Sequence, residues 1–265
     1  MTPILQISTD EKFASSVAYL KRRLQSLVTS GEVVVAVEKD KARTRLVVGS
    51  VDIDKSKPSD PKVMALVKRV AACAIDAIAD VVVTDCKFYY IATRLRLPIK
   101  DDICRHAFIK ALSTFDRDTD KLIAKGLIKL TPNFFLDSFY DFMTDPLKTR
   151  WQEVCTLANE NTAYLMCGTT FSELLRFLIS NIESLSEEAH LFAEHDKVEV
   201  FGKGKRPFKN IYINEELPQD VQVVTKLIAI APKKIFLHEE TKPLGEGLVR
   251  NIQDLFGNSV VIVSG

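Results

Sequence analysis

In "QDVQVVTKLIAIAPKKIFLHEE", Gln219 to Glu240, the spacing of apolar residues switches from helical to alternating at Pro232. Val221, Val224, Leu227 and Ile228 recur every three or four residues, which lays one apolar stripe along a helix. Proline has no N–H to continue that helix, so it ends before Pro232. "KKIFLHE" then alternates as a strand does, with Ile235 and Leu237 on one face and Phe236 and His238 on the other. A glycine-terminated amphipathic segment, "PLGEGLVRNIQDLFG", and a last apolar run, "SVVIVSG", complete a strand–helix–strand order. That order predicts two parallel strands joined by a right-handed crossover. Just upstream, "AHLFAE", the pair "HD" and "KVEVFG" predict a hairpin. Residues 187–265 are therefore expected to form a small α/β subdomain.

Residues 58–186 read as a helical body. Asp60 followed by Pro61 is a capping acid with proline at the first turn, and Val63, Leu66, Val67, Val70 and Ala74 supply a buried stripe. Further helices are predicted over 100–115, 118–129, 133–165 and 169–185, with a break near Pro146. Thr169 or Thr170 is placed to cap the last, with Glu173 at capping-box distance. Residues 1–57 combine a helix carrying Phe13, Val17, Leu20, Leu24 and Leu27, ended by Gly31, with a hairpin from "EVVVAVE" and "TRLVVGSVDI". The prolines and small polar residues of "DKSKPSDP" mark a boundary after it. The predicted class is α+β, predominantly helical: an N-terminal helix plus β-hairpin, a helical body, and a C-terminal α/β subdomain with a hairpin and two parallel strands.

The C-terminal segments "KLIAIAPKKIFLH" and "IQDLFGNSVVIVSG" are similar to the end of the YtxC-like family, which is associated with sporulation in spore-forming bacteria. "FFLDSFYDFMTDPLKTRWQEV", "FSELLRFLI" and "HLFAEHDKVEVF" resemble that family's layout in the same order. The resemblance covers about the last half of the chain; residues 1–115 add little. It implies an accessory or regulatory role in sporulation, exercised through a protein partner, and brings no catalytic residue with it. Family members often continue the last strand into a cysteine-rich tail, whereas this sequence reads Ser264-Gly265 there, so a thiol or metal role for such a tail is not expected.

Charge excludes some classes of partner. The 265 residues carry 36 Lys plus Arg against 35 Asp plus Glu, so no whole-chain excess draws the protein to nucleic acid or anionic lipid. Any such binding needs a local patch. No apolar run reaches the roughly 20 residues that cross a bilayer; the longest is broken by Lys68, Arg69, Asp76 and Asp80. "MTPILQISTDEKF" lacks a basic start and an apolar stretch, which predicts no signal peptide. The five cysteines are then expected as reduced thiols in the cytoplasm.

Two stretches carry candidate sites. "GKGKRPFK" places Lys203, Lys205, Arg206 and Lys209 around Phe208, and glycine-rich backbone with cations can cradle phosphate while an aromatic ring stacks on a base. It lacks the Gly-Lys-Ser/Thr ending of a P-loop, and a solvated loop after a hairpin is the favoured account of it. Lys21, Arg22 and Arg23 would extend such a patch only if the two ends of the chain met. The second stretch puts His238 and Glu239 at the carboxyl end of a parallel strand, where open α/β sheets place ligands. There Lys233 and Lys234 have a structural reading, as cations offsetting the negative end of a helix.

Metal and nucleophile signatures are weak. Cys104 and His106 lack a second ligand pair, and Cys155, Cys167, His190 and His195 are too widely spaced for a zinc knuckle. "DRDTD" opens like a calcium loop, but Lys121 stands at its glycine position and Leu127 at its closing acid, so helix capping is assigned to those aspartates. No G-x-S-x-G is present, and "SGE" and "CGTT" are too short to signify. Phe134, Phe135, Phe139, Tyr140 and Phe142, with Trp151 beyond, keep helical spacing and are expected in a core. The expectation is a non-enzymatic cytoplasmic accessory protein without metal or cofactor. Nucleic-acid or anionic-ligand binding by the basic loop is the alternative, and an enzyme with its site near His238 the remaining one.

Overall fold

The computed structural model describes residues 2–28, 33–40, 42–50, 60–96, 98–161, 169–194, 197–208, 211, 213–238 and 244–263. Lys209, Glu239, His195, Cys167, Gly31, the "HD" turn, "SGE", most of "DKSKPSDP" and the side chains of Thr169 and Thr170 lie outside the described residues. The fold is α+β and predominantly helical. By compactness the chain groups into two units: residues 1–89 with 116–151, and residues 90–115 with 152–265.

The first unit is built on a four-stranded sheet of order β2-β3-β1-β4, from β1 (Thr2–Thr9), β2 (Val34–Lys39), β3 (Thr44–Ser50) and β4 (Asn133–Phe135). β2 and β3 pair antiparallel as predicted. β1 was not expected: its buried positions Leu5 and Ile7 give way to buried Ser8 and Thr9, so the apolar alternation fades after two repeats. β4 corrects the predicted start of the helix at 133; the three residues pair parallel to β1 and the helix begins at Leu136.

Against this sheet lie α1 (Ser16–Gln25) and α2 (Pro61–Val81), followed by a π-helical turn (Val82–Cys86) into α3 (Lys87–Arg94). α5 (Arg117–Leu127), α6 (Leu136–Met143) and the start of α7 (Asp145–Glu160) complete the unit. Asp60 accepts from Lys62 N at 2.8 Å and caps α2, an interaction worth about 1 kcal/mol. The capping assigned to "DRDTD" is corrected. Asp116 stands at the N-cap of α5 in a left-handed conformation, with no side-chain cap bond, and Asp120 is buried as the acceptor of an ion-pair cluster. Phe134, Phe139, Tyr140 and Trp151 are buried as expected, whereas Phe142 is 77% exposed and Phe135 44%.

The second unit holds the end of α3, α4 (Asp102–Thr114), the end of α7, α8 (Thr169–Ser180), α9 (Gln219–Ile230) and α10 (Glu246–Phe256). They accompany a five-stranded sheet of order β7-β6-β5-β8-β9, with β5 (Glu188–Glu194), β6 (Lys197–Gly202), β7 (Arg206–Pro207), β8 (Lys234–His238) and β9 (Val260–Val263). β5 and β6 form the predicted antiparallel hairpin, and β8 and β9 are the predicted parallel pair. β5 adds a third parallel strand beside β8.

The connections from β5 to β8 and from β8 to β9 step in one direction, and the right-handed rule for parallel crossovers then puts both connecting helices, α9 and α10, on one face of the sheet. Ala189, Leu191, Val200, Ile235 and Leu237 point into that face and are buried, with Val221, Val224, Leu227 and Ile228 of α9 and Leu248, Ile252 and Leu255 of α10. Ala231 ends α9 in a left-handed conformation, φ 45°, one residue before Pro232.

Candidate functional site on the C-terminal sheet

Alternation sends every second residue of the five-stranded sheet to the face away from α9 and α10. On β5 these are Glu188, His190 and Phe192, and on β8 Lys234, Phe236 and His238. Cross-strand register aligns them in rows: Lys234 beside Glu188, Phe236 beside His190 and Phe201, His238 beside Phe192 and Glu199. The aromatic members are half-buried and stand against one another like books on a shelf. Phe236 and His190 stack at 4.8 Å with planes 11° apart, and His238 and Phe192 at 4.3 Å and 11°. His190 Nδ1 and His238 Nε2 are 2.9 Å apart and share a hydrogen bond whose direction follows the tautomer. His190 Nε2 is buried without a hydrogen-bond partner, 3.9 Å from Glu188 Oε1.

The basic turn closes over this face. Gly204 and Lys205 are both left-handed, with φ 66° and 56°. Glycine takes that conformation freely, but a lysine does so at a cost of about 1 kcal/mol. The turn carries Lys205 Nζ to 4.3 Å above the Phe192 ring, while Lys203 Nζ lies 3.5 Å from Glu188 Oε1. Lys203 and Arg206 are exposed. The two stretches flagged separately in the sequence thus meet: Lys205 lies over the ring that stacks on His238.

Phe208 is half-buried with its ring against Gly202, where a β-carbon would come within 3.3 Å of Phe208 Cζ. Lys21, Arg22 and Arg23 belong to the other unit. Arg23 is engaged there with Asp76 and Asp80.

Stacked side by side, the rings turn their edges outward, and the edge is the electropositive part of an aromatic ring. Lys203, Lys205 and Arg206 add full charges, against Glu188 and Glu199. The sum is an electropositive face able to hold anionic groups. It is not a set of open ring faces on which bases could lie.

A cavity of about 570 Å³ opens elsewhere in the same unit, and His238 is not among its walls. α8 contributes Arg176, Phe177, Ile179 and Ser180; the α9–β8 junction contributes Ala231, Pro232 and Lys233; the end of α10 and the turn after it contribute Leu255 to Ser259. Most of these walls come from the three stretches "FSELLRFLI", "APKKI" and "LFGNS", with Ser180, Ile182 and Ser184 just after the first. No spacing rule in the sequence brings them together, since the cavity exists only once α8 and α10 pack side by side.

The described thiols are not primed for nucleophilic attack. Burial pushes Cys104 up to about 11, with Asp101 adding to it, and burial likewise raises Cys73, Cys86 and Cys155. Among the described residues no helix is long and apolar enough to cross a membrane, and no cluster of three or more potential metal ligands occurs. Comparison with known proteins finds no matching family model, no similar curated protein and no similar solved structure.

Proposed function

We propose that the C-terminal unit binds nucleic acid through its phosphate backbone, on the sheet face that carries His190, Phe192, Phe236 and His238. The observation that carries this reading is the placement of Lys205. A strained backbone holds its ammonium over Phe192, and strain of that kind is retained where a side chain has work to do. Lys203 and Arg206 flank it, and the ring edges between them extend the positive field. Binding of this type is independent of sequence and sensitive to salt.

The test is titration of a fluorescent single-stranded oligonucleotide at a series of salt concentrations. The expected result is an affinity that falls steeply with salt, with a slope reduced by roughly 2 in the Lys205→Ala/Arg206→Ala variant. No binding at low salt, or an unchanged slope in the variant, would refute the proposal.

The resemblance of the C-terminal segments to the YtxC-like family supplies the setting: a cytoplasmic accessory protein of sporulation. A spore-forming host that sporulates at full yield without this protein would remove that assignment. A second reading, action through a protein partner, is favoured by the cavity beside α8, where Phe177 is 63% exposed.

A further inference from the structure

We propose that the cavity bounded by α8, the α9–β8 junction and the end of α10 docks an acidic segment of a partner protein, one that inserts an apolar side chain between two cations. Ile179, Ile182 and Leu255 form apolar walls, and Arg176 and Lys233 are the charged residues among the lining. Among the described residues no carboxylate lines the cavity. Its volume of about 570 Å³ falls within the range of ligand-binding clefts.

The last carbonyls of α8 and α9 that converge there find donors other than these cations. The carbonyl of Ile230 accepts from Leu185 N at 2.8 Å. That of Phe177 accepts from Asn181 Nδ2 at 2.8 Å and Ser180 Oγ at 2.9 Å. Arg176 donates its Nε to the carbonyl of Asp254 in the last turn of α10, and among the described residues its terminal nitrogens make no hydrogen bond, which keeps their donors for a ligand. Lys233 pairs with Glu187 at 2.6 Å, but that pair is exposed, 62% and 79%, and such pairs exchange readily for another carboxylate. Gly257, at φ 53°, passes beneath Arg176 in a conformation that other residues avoid.

The size of the apolar surface selects a polypeptide over a small organic acid. Phe177 is 63% exposed and Leu185 59%, and Leu185 directly follows the lining residue Ser184. A small acid sealed in the cavity would leave both in water, whereas a peptide crossing the mouth covers them. This inference does not rest on nucleic-acid binding by the sheet face, which none of the residues invoked here shares.

The experiment is selection of a random displayed-peptide library against the full chain, followed by affinity measurement with a synthetic peptide of the selected consensus. The expected consensus joins Leu, Phe or Trp to Asp or Glu. Its affinity should fall about tenfold or more in Lys233→Glu and in Arg176→Ala, and equally when its acids become amides. Lys233 is a surface residue, so Lys233→Glu leaves the fold in place if Arg176→Ala does not. Absence of a consensus, a basic consensus, or unchanged affinity in Lys233→Glu would overturn the proposal. So would a benzoate or fatty-acid probe that binds at the cavity while no peptide does.

Discussion

Lys87 Nζ donates to Asp120 Oδ2 at 2.7 Å with both side chains nearly sealed from solvent, 3% and 1% exposed. Asp120 also accepts from Trp151 Nε1 at 2.9 Å and from Arg150 Nε at 3.1 Å, so both of its oxygens are engaged. Burial drives the Lys87 ammonium below its usual pKa, and the adjacent Asp120 only partly restores it. The asymmetry predicts unequal mutants. Asp120→Ala removes the carboxylate that the buried Lys87 ammonium and the Trp151 indole N–H share, and should cost about 3–5 kcal/mol. Lys87→Met leaves Asp120 two donors and should cost distinctly less. Urea unfolding of both variants checks the order, and equal losses would contradict it.

Asp76 and Asp80 stand one turn apart on α2 and face Arg117, Lys121 and Lys125, one turn apart on α5. Asp80 is the buried member: Tyr19 Oη donates to it at 2.9 Å and Lys121 Nζ at 2.7 Å. Burial, then the Asp80 charge, holds the Tyr19 hydroxyl protonated far above its ordinary range. Tyr19→Phe removes one donor and should cost about 1–2 kcal/mol. Asp80→Ala should cost more than Asp76→Ala, whose carboxylate is 29% exposed. Thermal unfolding of the three variants reads this ranking directly.

Much of this fold was legible because local rules agreed with one another. Pro232 and the change of period around it placed α9 and β8, and Gly257 marked the end of α10 as predicted. β1 and β4 were not legible, since β1 buries Ser8 and Thr9 and β4 lends Phe134 to an aromatic run of helical spacing. The candidate site was half legible. Lys203, Lys205, Arg206 and His238 were found by composition and position, but His190 and Phe192 join them only through the β5–β8 register. Parallel pairing is set by packing of the intervening chain, so no contiguous stretch announces it. The ion-pair clusters were missed for the same reason: Asp120 and Lys87 look like surface charges until α3, α5 and α7 are packed together.

His106 sits on α4, where burial and then Lys110 push its pKa down to about 4. An unfolded histidine titrates near 6.5. The depressed folded value means the native state resists protonation, so stability is intact above about pH 6.5 and declines as pH falls toward the folded value. By about pH 5 the loss from this group should approach 2 kcal/mol. Unfolding measured between about pH 7 and pH 5 should therefore show a steeper decline for the natural chain than for His106→Gln. Parallel curves would show that His106 is not the group responsible.

The sheet face makes a prediction with two signs. Glu188 holds Lys203 at 3.5 Å and lies 3.9 Å from His190 Nε2, so it subtracts from the positive field on the same face. Glu188→Gln should free Lys203, raise affinity for a single-stranded oligonucleotide, and steepen the salt dependence by about one phosphate contact. Lys205→Gly should act in the opposite direction: it removes the cation above Phe192, lowering affinity and flattening the slope. Glycine accepts the left-handed backbone at 205 without strain, so this variant should keep its melting temperature or gain slightly. Loss of binding with stability retained separates the role of Lys205 in holding phosphate from any role in folding. If both variants bound like the natural chain, the face would be an inert stack of rings.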